Sequence, residues 1–186
     1  MDHLTNLIEQ CSKGNKNAQK ELYNLYAPTM FNSCLRYSSS HEEAEDSLQE
    51  GFIKVFDYLH QFKFSGSFEG WIRKIMVNTC LQKLRSKNYM HAVVDIDTIQ
   101  INETASEDII SQLGTKELLK MIQQLPPAYR TVFNLYVFEG MKHKEIAKEL
   151  SISEGTSKSN LFDARAILQK LVAKSMKVAS EKGQMI

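Results

Sequence analysis

The chain has 186 residues, 42% of them hydrophobic and 24% charged, with a formal net charge of +1. This is the composition of an ordinary globular protein with one large or two small domains, and it excludes disorder throughout. No apolar run approaches the roughly 20 residues of a membrane span. The opening "MDHLTNLIEQ" also lacks the basic and apolar regions of a signal peptide, so a cytoplasmic protein with no membrane insertion of its own is expected.

Glycine and proline are sparse, at 8 and 3, and the apolar residues recur mostly at helical rather than alternating spacing, which predicts an almost wholly α protein. Residues 4 to 12, 17 to 37, 41 to 61 and 68 to 87 read as helices, separated by "KGN", "SSS" and "KFSGS". In the third of these, Ala44, Leu48, Phe52, Val55 and Leu59 form the core stripe. Its other face presents Glu45, Asp46, Gln49, Glu50 and Ile53. Acids early in a helix suit its dipole, so a plain solvated face is one reading. An isoleucine beside glutamine and a carboxylate row also suits docking to a basic, partly apolar protein.

The fourth helix has the opposite character. Between 71 and 87 it holds Arg73, Lys74, Lys83, Arg85 and Lys87 and no acid. At 100° per residue, Trp71, Lys74, Asn78, Gln82 and Arg85 share an arc of roughly 80°. Ile72, Met76, Val77, Cys80, Leu81 and Leu84 lie largely opposite. The loop "FKFSGSF" ahead of it adds Phe62, Phe64 and Phe68. Rings that can stack on bases, cations for phosphates and amides for base edges are what a single nucleic-acid strand requires. The competing reading is that Phe62, Phe68 and Trp71 simply complete the core.

Residues 88 to 113 carry no Lys or Arg and five acids, Asp95, Asp97, Glu103, Glu107 and Asp108, and lack a sustained helical period, so they read as an acidic linker with some local order around Val93 to Ile101. The segment before it carries 11 Lys+Arg and 10 Asp+Glu, and residues 114 to 186 carry 12 and 7, which leaves the C-terminal part mildly basic. That balance permits a polyanionic partner but does not demand one.

Beyond the linker, helices are expected at 115 to 124, 128 to 138 and 142 to 149, with "LPP" breaking the first and opening the second. Ser153 is the expected N-cap of a last long helix, with Glu154 in its first turn. Two short helices, a tight turn and a longer helix make a helix-turn-helix pattern. Leu161, Ala164, Leu168 and Leu171 form the inward stripe of the last helix. Phe162 stands about 100° away, with Lys158, Ser159 and Arg165. On a helix entering the major groove, these four could meet phosphate, base edges and a thymine methyl. Alternatively, Phe162 packs on Ile167 or on the linker.

The three cysteines, Cys11, Cys34 and Cys80, are too few and too scattered for a disulfide framework or a zinc site and read as buried thiols. No metal or cofactor is expected. The five histidines are scattered and none pairs with a cysteine at a suggestive spacing, so an enzyme is not expected either.

Taken in order, "AEDSLQEGFIKVF", "SFEGWIRKIMVNTCLQKLR" and "LPPAYRTVFNLYVFEGMKHKEIAKELSISEGTSKSNLFDARAIL" resemble the extracytoplasmic-function (ECF) sigma factors of bacterial RNA polymerase, within the sigma-70 family. The resemblance implies an all-α protein of two small helical domains joined by a flexible linker. Residues 1–87 would form the region 2 domain, 88–113 the acidic linker, and 114–180 the region 4 helix-turn-helix domain. It further implies core RNA polymerase and promoter DNA as partners, with an anti-sigma factor as regulator. Asp46, Gln49, Glu50 and Ile53 correspond to positions that meet core polymerase. Phe64, Trp71, Lys74, Asn78 and Arg85 correspond to those that handle the melted minus 10 strand. Lys142, His143, Lys144, Thr156, Lys158, Ser159, Phe162 and Arg165 correspond to those that engage the minus 35 duplex.

The chain departs from the family pattern at Ser157, Asn160 and Asp163, where many members carry valine and basic residues, and at Gln82, where an aspartate is common. The rival reading is a stand-alone helix-turn-helix regulator with an N-terminal dimerisation or sensor domain. It explains residues 114 to 175 but not the basic, aromatic helix at 71 to 87.

Overall fold

The computed structural model describes residues 3 to 86 and 115 to 183, except for the side chains of 115 and 177 to 183. All the regular elements among the described residues are helical, and they fall into two compact units, one ending at Ser86 and one beyond it. The expected linker, 88 to 113, with Asp95, Asp97, Glu103, Glu107 and Asp108, lies outside the described residues, as does Lys87.

In the first unit, α1 spans His3–Ser12, α2 Lys16–Tyr37, α3 His41–Tyr58 and α4 Phe68–Ser86. Gly14, at φ +79°, turns the chain out of α1 in a left-handed conformation that a side chain would disfavour. Asn15 then caps α2, its side-chain oxygen accepting from the N–H groups of Asn17 and Ala18 at 3.0 and 3.2 Å. Ser40 caps α3 through the N–H of Glu43, and the Glu43 carboxylate accepts from Ser39 N–H at 2.7 Å, so both ends of the joint are satisfied. The expected helix 41 to 61 closes three residues early. Leu59–Gln61 tighten into a single 3₁₀ turn that buries Leu59.

Helices α2, α3 and α4 pack against one another around Leu22, Met30, Tyr37, Leu48, Phe52, Val55, Ile72, Met76 and Leu81, all buried. The stripe expected on α3, Ala44, Leu48, Phe52, Val55 and Leu59, is inside throughout. Gly51 shows how closely α3 meets α4: a β-carbon added there would lie 2.2 Å from Met76 Sδ. The three cysteines are free and buried. Cys34 shares a hydrogen bond with Cys80, and that bond together with burial pushes the Cys34 thiol up from its ordinary ionisation range.

In the second unit, α5 spans Thr115–Gln123, α6 Pro127–Val137, α7 His143–Leu150 and α8 Glu154–Gly183. Pro127 occupies the first turn of α6, where its missing N–H costs nothing. Arg130 is fully buried, and its Nη1 donates to the carbonyl of Gln123, the last residue of α5, at 3.0 Å. A charged side chain thereby satisfies an orphan carbonyl at a helix end. Gly140, at φ +67°, permits the turn into α7.

Between α7 and α8, Ser151 adopts the left-handed conformation at φ 56°, and its N–H and that of Ile152 both return to the Ala147 carbonyl. Ser153 caps α8 by accepting from Thr156 N–H at 2.9 Å. Helices α6, α7 and α8 enclose Val132, Leu135, Ile146, Leu150, Leu161, Ala164 and Leu168. Leu171, expected to continue the inward stripe, is only half-buried, and Val172 takes the buried position instead.

Candidate nucleic-acid and protein interfaces

On α3, Asp46, Gln49, Glu50 and Ile53 are all exposed, Ile53 by 62%. The helix therefore holds a large aliphatic side chain in water beside three polar ones while its opposite face fills the core. Two ties run from this side to α4. Lys83 Nζ lies 2.9 Å from Glu50 Oε1, and Lys54 Nζ donates to Gln82 Oε1 at 2.7 Å and to Thr79 Oγ1 at 3.2 Å. Gln82, where the ECF pattern often has an aspartate, thus gives its side-chain oxygen to a lysine and keeps its amide protons for other partners.

On α4, Lys74, Asn78, Gln82 and Arg85 are exposed and Trp71 is half-buried, while Ile72, Met76, Val77, Cys80, Leu81 and Leu84 are inside. The expected division of the helix into polar and core faces holds. The aromatic residues divide between the two competing readings. Phe68 is buried and belongs to the core, its ring 5.5 Å from that of Tyr26 and stacked on Trp71 at 5.7 Å and 16°. Phe62 packs against Phe68 and Trp71 at 4.9 and 5.6 Å, which makes it the underside of an aromatic platform.

Phe64 is different. It is 51% exposed, touches Phe62 edge-on at 5.1 Å, and has φ 55°, a conformation that bulky residues seldom adopt. Holding a large ring outward at a strained backbone position is characteristic of functional loops. Arg73, the remaining cation of the first turns, is taken up by Glu69 one turn earlier.

In the second unit, Lys158, Ser159, Phe162 and Arg165 project from one side of α8 and all are exposed, Phe162 by 53%. Among the described residues Phe162 is not packed away on Ile167, and packing on the linker lies outside them. Thr156 is also exposed, but its hydroxyl lies 2.9 Å from Ser153 Oγ, within the cap, and Ser159 Oγ donates to the Thr156 carbonyl at 3.1 Å. Lys142 and Lys144 are exposed at the N-terminus of α7, where the Glu145 carboxylate accepts from Lys142 N–H at 2.7 Å.

His143, between those lysines, turns inward instead. Its Nδ1 lies 2.9 Å from Ser157 Oγ, and its ring stacks on Tyr136 at 4.9 Å and 25°. Ser157 is fully buried, so it faces α7 and not the outer side of α8 with Lys158 and Ser159. Neither the burial of Ser157 nor the stacking of Tyr136 on His143 is among the expectations from the sequence. Ser157 lies four residues before the inward-facing Leu161, and that spacing was the available clue.

Two family models match this chain in order: "Sigma-70 region 2" over residues 22–89 and "Sigma-70, region 4" over residues 115–168. The ECF RNA polymerase sigma factor SigW of Bacillus subtilis is 29% identical over 177 residues, covering 88% of this chain and 93% of that protein. The ECF RNA polymerase sigma factor SigE of Mycolicibacterium smegmatis is 30% identical over 159 residues, covering 83% of this chain but spanning 61% of that protein's length. Among solved structures, the sigma factor RpoE of Bartonella quintana, crystallised with the anti-sigma factor NepR, matches with a TM-score of 0.50 at 21% identity, covering 83% of this chain and 96% of that one. With both conserved regions present in order on two helical units, the chain belongs to the sigma-70 family of RNA polymerase sigma factors, in its ECF branch.

Proposed function

We propose that this chain directs promoter-specific initiation by docking on core RNA polymerase through the outer face of α3, trapping the melted minus 10 strand with α4 and its aromatic loop, and reading the minus 35 duplex with α8. The carrying observation is the α4 face. Lys74, Asn78 and Arg85 stand exposed beside the half-exposed Trp71, with Phe64 held out of the preceding loop in a strained backbone conformation. Such a surface suits a flexible strand whose bases can be splayed onto rings, and a stand-alone duplex-binding regulator has no use for it.

The division of labour follows the two units: residues 1–87 for polymerase and the minus 10 element, 114–180 for the minus 35 element, with 88–113 joining them. The chain acts by binding and not by catalysis, and works in the cytoplasm where polymerase is. Among the described residues, no helix is long and apolar enough to cross a membrane. An anti-sigma factor is the proposed regulator, supported by the complex in which the Bartonella quintana relative was crystallised.

Run-off transcription from a promoter library, with purified core polymerase and with or without this protein, tests the proposal. Initiation from a defined subset of promoters only when the protein is added is the expected result. Sequence-specific binding of the free protein to duplex DNA, with no change in initiation, would favour the regulator reading.

A further inference from the structure

The proposed minus 35 surface includes one long flexible cation, Arg165, and the structure gives it a support from a different helix. The guanidinium carbon of Arg165 lies 5.8 Å from the centroid of the Tyr136 ring, within cation–π range. Tyr136 comes from the last turn of α6, and its ring is itself stacked on His143 at 4.9 Å and 25°. The His143 ring is fixed in turn by the 2.9 Å contact between its Nδ1 and the buried Ser157 hydroxyl on α8. A line of four side chains thus runs from inside α8, through the first residue of α7 and the end of α6, back to the outer side of α8.

We propose that Tyr136 is a positioning residue for DNA recognition: its ring, braced by His143 and Ser157, holds the Arg165 guanidinium at the DNA-facing side of α8. The inference rests on the reading of that side as the minus 35 surface. Guanidinium is planar and weakly hydrated, so it can lie against an aromatic ring while its N–H donors stay available to a phosphate oxygen. An unsupported arginine on an exposed helix would lose its rotamer freedom on binding. Tyr136 contributes by having removed part of that freedom beforehand, and it makes no DNA contact itself.

The test uses holoenzyme assembled from the full chain and core polymerase, on a promoter duplex that the parent protein selects from the run-off library. Affinity is measured by fluorescence anisotropy at several salt concentrations. Arg165→Ala is expected to weaken binding and to lower the slope of log affinity against log salt by about one, the mark of a lost phosphate contact. Tyr136→Leu is expected to weaken binding about 2- to 5-fold, the range of an exposed cation–π contact. Tyr136→Phe, which keeps the ring, should bind as the parent does.

The deciding measurement is the double variant. In the Arg165→Ala background, Tyr136→Leu should cost almost nothing further. Equal losses in both backgrounds, or a Tyr136→Leu holoenzyme that binds like the parent while Arg165→Ala does not, would overturn the positioning role alone. Parental binding by Arg165→Ala would overturn this role by removing Arg165 from the minus 35 surface, and parental binding by Lys158→Ala as well would overturn the assignment of α8 as the DNA-facing helix. Thermal melts accompany every variant, and Tyr136→Met replaces Tyr136→Leu if the latter does not melt cooperatively near the parent.

Discussion

Lys83 Nζ lies 2.9 Å from Glu50 Oε1, so a residue of the proposed polymerase-facing side of α3 is ion-paired to α4, the helix proposed to hold the melted strand. Glu50 is half in solvent and the Lys83 side chain 21% exposed, and a partly exposed pair of this kind contributes about 1 kcal/mol or less to folding. Its value to the fold and its value to a partner should therefore separate cleanly. Glu50→Gln should leave the urea unfolding midpoint nearly unchanged, whereas Gln49→Ala combined with Glu50→Lys should weaken retention on immobilised core polymerase. A reversed charge in a buried interface typically costs roughly 2–5 kcal/mol. Parental retention of the double variant would return this face of α3 to plain solvation.

Asn78 and Trp71 are both proposed to take part in strand capture but differ in how much of the fold depends on them. Asn78 is exposed, while Trp71 is stacked on Phe68 and packed against Phe62. Asn78→Ala should therefore lower open-complex formation, read by permanganate reactivity of the minus 10 thymines, with an unchanged melting temperature. Trp71→Ala should lower both. Each base contact is worth about 1–3 kcal/mol and is made only after the strands separate. A pre-melted promoter should thus rescue most of the defect of Asn78→Ala, and failure of that rescue would remove Asn78 from strand capture.

The contrast between Asn78 and Ser157 shows where a helical wheel stops being informative. The amphipathic division of α4 could be read from one strand of text because its apolar and polar residues are chemically distinct, and Lys74, Asn78, Gln82 and Arg85 are exposed as the wheel requires. Phe162 was legible for the same reason: it stands about 100° from a continuous apolar stripe. Ser157 is small and polar in a helix whose neighbouring positions are also polar, so its spacing from Leu161 gave only a weak clue and the approach of α7 decided its burial. Arg130 is the same case on a larger scale. Charge suggests solvent, and only the end of α5 beside it explains a buried guanidinium.

Cys11 provides a prediction about pH. Burial, and after it the Glu21 carboxylate, push its thiol up from 9.0 to about 11. The folded state therefore keeps a proton that the unfolded chain begins to lose near pH 9. Above that point the unfolded state binds fewer protons, so stability should be intact below pH 9 and decline as pH rises toward 11. The slope for one thiol is at most about 1.4 kcal/mol per pH unit. Urea unfolding of the parent and of Cys11→Val across pH 8.5 to 11 isolates this contribution. The parent's curve should fall more steeply than the variant's, and parallel curves would show that Cys11 ionises as freely in the fold as outside it.

The joint between α7 and α8 yields the last prediction, because it places a buried hydroxyl opposite a half-buried imidazole. Ser157 Oγ has His143 Nδ1 at 2.9 Å, and no part of Ser157 is exposed. His143→Phe keeps the stack on Tyr136 but leaves that hydroxyl without its side-chain partner, which should cost about 1–3 kcal/mol of unfolding free energy. Ser157→Ala removes the hydroxyl itself and leaves Nδ1 to a ring that solvent already reaches, so its cost should be smaller. In the double variant both polar groups are gone and the ring stack remains, so the two losses should not add. A coupling of about 1 kcal/mol between the positions, measured by urea unfolding of the four proteins, is the expected outcome. Simple additivity would mean that His143 and Ser157 are neighbours without being partners, and the brace behind Tyr136 would then rest on ring stacking alone.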